Sequence, residues 1–154
     1  MTEYALVLDP QPCTWAAGAP MPLVLSSEDR SFVVFEQTEN GSLPAKTTAV
    51  EFVGCLLLTT GFPNDEVLHG HRLWGRGLDF LRVHEVVHSS WLAEQQAIER
   101  HNPNSPDHPF DSLTHYLLTF QDSIVEALAA GLVIAGTWQS RAGALAALCD
   151  ELAG

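Results

Sequence analysis

All seven histidines of the chain lie between His69 and His115, and the first 68 residues hold none. Four of them fall in Gly61–Trp91, together with the Asp65-Glu66 pair and Glu85. Imidazoles and carboxylates gathered in one stretch are the groups that proton transfer and metal binding require.

The sharpest pattern is His84-Glu85-Val86-Val87-His88, which fits H-E-x-x-H. On a helix the two histidines share a face and can ligate one zinc ion, with Glu85 as general base on a zinc-bound water. In that respect the string resembles a zinc-peptidase motif, over five residues only. The Gly and third His of the longer pattern are absent; Ser89-Ser90-Trp91-Leu92-Ala93-Glu94 follow instead. A third ligand would have to come from Glu94, His101, His108 or His115. On a strand His84 and His88 would stand about 13 Å apart, from a rise near 3.3 Å per residue, and could not share an ion.

Two further patterns are looser. His69-Gly70-His71 is an H-x-H in a turn-rich stretch, with Asp65 and Glu66 upstream as oxygen donors. Its metal-ligating reading uses His69 and His71; its bland reading is solvated loop histidines. His115 sits in an otherwise apolar run, with Asp122 and Glu126 just beyond it. A strand histidine oriented by a carboxylate can act as a general base, and the bland alternative is a satisfied core histidine. Glu126 is the odd polar residue in its own apolar run. A buried carboxylate needs a partner, for which Arg72, Arg76 and Arg82 are the candidates.

The elements that must position these groups read mostly as strands. Tyr4–Leu8, Leu23–Leu25, Ser31–Gln37 and Thr47–Thr60 are β-branched or aromatic runs, the last with a bend or bulge at Gly54. Asn40-Gly41 signals a turn. Residues 10–22 form a proline-rich arm. Gly61–Gly77 is a long loop, and loops of that length are often functional. Val83, Val86 and Val87 favour a strand over Leu81–Ser89. Paired serines favour a helix start, giving a helix over Trp91–Arg100 capped by Ser90. One helix over 80–100, with an apolar stripe of Phe80, Val83, Val87, Trp91 and Ile98, is the alternative. Asn102–Pro109 is a second loop. Leu113–Phe120 and Ile124–Thr137 form a hairpin, with Gly131 and Gly136 placed to break its return strand. Ser140 caps a final helix to Ala153, whose core stripe is Leu145, Leu148, Cys149 and Leu152.

Composition narrows the class. At 154 residues and 46% hydrophobic, the chain reads as one globular domain, 1–154. A net charge of −12 with only seven basic residues argues against nucleic acid as a partner. The longest apolar run is too short for a membrane span, which needs about 20 residues. The start, MTEYALVLDP, lacks the basic residues of a secretory signal. Three separated cysteines suggest a reduced, cytoplasmic protein.

The expectation is an α+β fold. A curved antiparallel sheet of about six or seven strands, able to close partly into a barrel, would carry two helices. The leading functional reading is a soluble enzyme acting on a small molecule by His/carboxylate acid–base chemistry, with metal assistance open. Its catalytic candidates are His115, Glu85 and Glu126; its metal candidates are His84, His88, His69 and His71, with zinc the metal considered. The narrower version is a zinc hydrolase built on His84–His88. The rival from another class is a non-catalytic small-molecule-binding or accessory protein, a homodimer, whose histidines only titrate or pack.

Overall fold

The computed structural model describes residues 1–15, 20–37, 46–104 and 106–154. The expected turn at Asn40-Gly41, Gly18 of the proline-rich arm and Ser105 of the second loop lie outside the described residues.

The fold is α+β, and every strand pairing is antiparallel. Among the described residues, nine strands make two open sheets rather than one. The strands are β1 (Tyr4–Val7), β2 (Leu23–Ser26), β3 (Ser31–Gln37), β4 (Lys46–Val53), β5 (Leu57–Gly61), β6 (Val83–Val87), β7 (Thr114–Thr119), β8 (Ile124–Ala129) and β9 (Gly131–Trp138). Two helices, α1 (Ser90–Glu99) and α2 (Arg141–Ala153), join them. One sheet runs β1-β6-β7-β8-β5 and the other β2-β3-β4-β9.

The strand count differs from the expected one because two long runs each serve both sheets. Thr47–Thr60 breaks at Gly54, whose φ of +59° lies in the left-handed region that favours glycine. Ile124–Thr137 breaks at Ala130. The two breaks touch: Ala130 N–H donates to the Val53 carbonyl at 2.8 Å, and a Cβ on Gly54 would stand 3.3 Å from that of Ala130. These runs therefore form one antiparallel ribbon. It is β4 against β9 in one sheet and β5 against β8 in the other, and it bends where both chains cross over.

Alternation sorts the side chains into layers. Val33, Phe35, Val50 and Phe52 of one sheet meet Val83, Leu118, Phe120, Val125 and Ala127 of the other in a shared core. Trp15 stacks into that core against Phe35 and Phe120. On the outer face of the four-stranded sheet lies α2, with Ala144 and Leu148 buried against Phe32, Val34 and Ala49. Leu145 and Leu152 pack at its edge, whereas Cys149 is exposed, so Ala144 takes the place expected of Cys149 in the stripe.

The outer face of the five-stranded sheet is covered differently. There the Gly61–Gly77 loop folds back, starting with a 3-10 turn at Asp65–Gly70, and Leu68, Leu73 and Leu78 bury against Ala5, Val86, Leu117 and Ile124. The loop is tied near its start, where Asp65 N–H donates to the Gln121 carbonyl at 2.8 Å, and near its end at a point of close approach. Ala5 N–H donates to the Arg76 carbonyl at 2.8 Å, and Gly77, at φ +92°, lies where a Cβ would overlap the Ala5 carbonyl oxygen. Glycine is required there on both counts.

Residues 84–88 resolve in favour of strand. β6 ends at Val87, His88 turns the chain at φ +56°, and α1 begins at Ser90. The helix cap is Ser89, not Ser90: the Ser89 hydroxyl accepts the Leu92 N–H at 3.0 Å. A cap side chain must stand outside the helix to turn back on its third amide, and Ser90 is already inside.

Candidate functional site

β7 and β8 pair so that Leu117 faces Glu126 and His115 faces Leu128. His115 and Glu126 are thus diagonal neighbours on one sheet face, within reach of long side chains. They meet: His115 Nε2 lies 2.6 Å from Glu126 Oε2. His115 is 1% exposed and Glu126 8%, so the bond is shielded from water on the loop-covered side of the sheet.

Three cationic or donor groups converge on that carboxylate. Arg72 Nη2 stands 3.2 Å from Oε2, and His71 Nε2 stands 3.6 Å from Oε1. The loop supplies both residues, and Arg72 is the partner among the three arginines considered. Burial alone would raise the Glu126 pKa. The hydrogen bonds from His115, His71 and Arg72, and the guanidinium charge, outweigh it and hold the carboxyl far below its ordinary range. Glu126 is therefore an ionised acceptor.

That fixes one proton on His115. An ionised carboxylate only accepts, so His115 Nε2 carries a proton and donates it. On the other side of the ring, His115 Nδ1 lies 2.7 Å from Ser89 Oγ. With the proton on Nε2, the neutral imidazole offers Nδ1 as acceptor and the Ser89 hydroxyl donates to it. The same oxygen still accepts the Leu92 N–H. His71 is not set in this way: its Nδ1 accepts the Leu73 N–H at 3.2 Å, while its Nε2 lies 3.3 Å from Arg72 Nη1, a donor, and 3.6 Å from Glu126 Oε1.

A second carboxylate ties the far side. Glu3 Oε1 accepts from the Ser90 N–H at 3.0 Å, and Glu3 Oε2 lies 3.4 Å from Arg72 Nε. Burial works to raise the Glu3 pKa, but the Ser90 amide and the Arg72 charge bring it below the ordinary value. Ser89, His115, Glu126, Arg72, Glu3 and Ser90 thus form one hydrogen-bonded circuit that joins helix start, sheet and loop. Trp91 closes it from above, its ring edge-on to His115 with centroids 5.2 Å apart.

The circuit borders a cavity of about 440 Å³. Ser89, His115 and Glu85 line it, with Val87, Leu92 and Leu113 among its apolar wall. A second cavity, about 380 Å³, lies against the loop and is lined by Phe62, Val67, His69, His71 and Arg72. Both have the size and mixed lining of small-molecule sites.

The histidines expected in one cleft are therefore divided. His115 and His88 border the first cavity, and His69 and His71 border the second. His84 borders neither. It is fully buried, its Nδ1 donating to the Leu117 carbonyl at 3.1 Å and its Nε2 accepting the Asp79 N–H at 3.0 Å. Burial, with Arg82 nearby, lowers its pKa against the opposing pull of the Leu117 carbonyl and Asp79. His84 is thus a neutral structural imidazole, and both of its nitrogens are taken. His88 is exposed at the turn, edge-on to Tyr4. The strand geometry of 84–88 does not present the two rings to one ion. Among the described residues, no three of His, Cys, Asp and Glu form a group able to hold a metal.

Ser89 is the residue that sequence reasoning passed over, read as part of a strand end beside a cap. Its signal was the strand–turn–helix junction itself, where a hydroxyl at the helix start faces whatever the neighbouring strand presents. Arg72 was one candidate of three, and Glu3 carried no signal at all. No protein-family model, curated protein or solved structure matches the chain. No helix among the described residues is long and apolar enough to cross a membrane.

Proposed function

We propose that the protein is an enzyme that moves protons on a small molecule bound in the cavity at the start of α1, with His115 as the base. The observation that supports this reading is the hydrogen-bonded line Ser89–His115–Glu126 at the cavity wall. Glu126 holds one imidazole proton on Nε2 and so leaves Nδ1 free of a proton on the cavity side. A base whose orientation and tautomer are fixed in advance needs no reorganisation when it accepts a proton. Glu126 has the orienting role, kept ionised by Arg72 and His71. Glu85, at the cavity rim, contacts the bound molecule in this reading. The three free cysteines, two of them buried, fit a reducing, cytoplasmic setting.

Proton abstraction is testable with a probe that needs only a base, 5-nitrobenzisoxazole, whose ring opens to a coloured cyanophenolate when its carbon-bound proton is removed. Wild-type protein and Ser89→Ala, which opens Nδ1 to the probe, are expected to turn it over. His115→Gln is expected to lose about 10²- to 10⁴-fold, the usual contribution of a positioned base. Turnover unchanged by His115→Gln, or absent from both wild type and Ser89→Ala, contradicts the reading and leaves a binding protein.

A further inference from the structure

We infer that Ser89 is a nucleophile and that the substrates are small carboxylic esters, which pass through an acyl-Ser89 intermediate. The inference rests on the proton-transfer reading of His115 and adds to it the atom that attacks.

Four observations carry it. The Ser89 hydroxyl donates to an imidazole that in turn donates to a buried carboxylate, with distances of 2.7 and 2.6 Å. That is the activation a weak oxygen nucleophile needs: a base to take its proton and a carboxylate to hold the base. The two ring nitrogens exchange the places they hold in chymotrypsin-type triads, since Nδ1 faces the serine here. The roles depend on geometry rather than on which nitrogen serves, because either can accept a proton while the other is held.

The second observation is the backbone. Ser89 lies between a strand and a helix, directly after a non-glycine residue in the left-handed region, His88 at φ +56°. Such a turn costs stability and sets the following side chain at the end of β6, an interior strand; the strain lies on the residue before the serine, where nucleophile elbows carry it on the serine itself. Third, Ser89 is only 7% exposed yet lines the cavity, so its hydroxyl faces a bound molecule more than bulk water.

Fourth, the start of α1 can meet the charge that forms on a carbonyl oxygen under attack. The first amides of a helix have no partner within it, and the helix dipole favours negative charge there. The Ser90 and Leu92 amides are engaged by Glu3 and by Ser89 itself, and Trp91 does not line the cavity, so the helix dipole rather than a free amide is what this turn offers the oxyanion. The cavity sets the substrate size. About 440 Å³ holds a small ester, with an acyl chain against Val87, Leu92 and Leu113.

The step balances as acyl transfer. Ser89 Oγ bonds to the ester carbonyl carbon while its proton passes to His115 Nδ1. The carbon–oxygen bond to the alcohol breaks, and the alcohol leaves with that proton. Water then attacks acyl-Ser89, gives a proton to His115 and releases the carboxylic acid as the proton returns to Ser89.

The test is a small alkyl fluorophosphonate, which loses fluoride when an activated serine attacks its phosphorus, followed by intact mass and peptide mapping of the native protein. One adduct per chain, on Ser89, is expected, at a rate at least 10²-fold lower in His115→Gln. With p-nitrophenyl acetate, an initial burst approaching one nitrophenolate per chain is expected. Mapping on the wild type needs no variant; Ser89→Asn, which keeps a capping oxygen and lacks the hydroxyl, serves as the folded control and should take no label. No adduct, or an adduct elsewhere, overturns the inference. If 5-nitrobenzisoxazole is still turned over in a His115-dependent way, the nucleophile alone is wrong; if neither probe reacts, the proton-transfer reading falls with it.

Discussion

Glu126 on β8 and His115 on β7 stand one diagonal step apart on the buried outer face of the five-stranded sheet, joined by a 2.6 Å hydrogen bond. Everything proposed for the site depends on that pair. The pair in turn depends on the loop that covers it, because Arg72 supplies the counter-charge to a carboxylate that the sheet alone would bury uncompensated.

The first prediction concerns acid. The folded-state pKa of Glu126 is depressed, so the group contributes stability above its ordinary value of 4.5, and that contribution is lost as pH falls below it. Glu126→Gln should cost about 1–3 kcal/mol near neutrality, because the buried His115 loses its charged acceptor and Arg72 its counter-charge. It should also flatten the acid limb of stability against pH. Arg72→Met should move the acid-unfolding midpoint of the otherwise intact chain to higher pH. Urea unfolding across pH measures both; an unchanged acid limb in Glu126→Gln would show that other carboxylates set it.

A separate limb belongs to His84. Burial lowers its folded-state pKa from the ordinary 6.5, so the unfolded chain binds the proton more readily. Stability from this group is therefore present above pH 6.5 and lost as pH falls below it, with a slope of up to about 1.4 kcal/mol per pH unit for one proton. His84→Asn should lower stability near neutrality, since the Leu117 carbonyl and Asp79 amide lose their partners, and should remove this part of the slope. The same unfolding series measures it, and a variant that keeps the full slope would show that the proton binds elsewhere.

Much of this arrangement was legible in the residues, and the failures have physical causes. The α+β class, the antiparallel pairing, a strand carrying His84–Val87 and the final helix follow from periodicity and turn chemistry. The division into two sheets did not, because Thr47–Thr60 and Ile124–Thr137 are each continuous β-rich runs. Only the contact between Gly54 and Ala130 shows that both bend together. His115 and Glu126 stood out as polar groups in apolar strands, and a short hairpin makes such residues neighbours. Ser89 and Glu3 are ordinary residues until distant segments arrive beside them: Ser89 is 26 positions from His115, and Glu3 is 87 from Ser90. The H-E-x-x-H string misleads because its spacing has meaning only on a helix, and three valines place it on a strand.

Gly77 tests how the loop is fixed. At φ +92°, with its missing Cβ against the Ala5 carbonyl, Gly77→Ala meets both backbone strain and overlap. It should destabilise the fold by at least about 1–3 kcal/mol, the usual cost of such strain. It should also loosen the loop that carries His71 and Arg72. Hydrogen exchange at the Ala5 amide, bonded to Arg76, should quicken before global unfolding. Protection unchanged from wild type would place the anchor elsewhere.

The claim beneath both functional proposals is that His115 offers an unprotonated Nδ1 to Ser89 because Glu126 holds the proton on Nε2. Long-range proton–nitrogen NMR of the imidazole in the native protein, at mildly alkaline pH, reads this directly. The account predicts a protonated Nε2 with a strongly downfield proton that moves upfield in Glu126→Gln, and an Nδ1 with the shift of a hydrogen-bonded acceptor. A proton on Nδ1 would contradict it, since Ser89 would then accept rather than give, and His115 could not serve as its base.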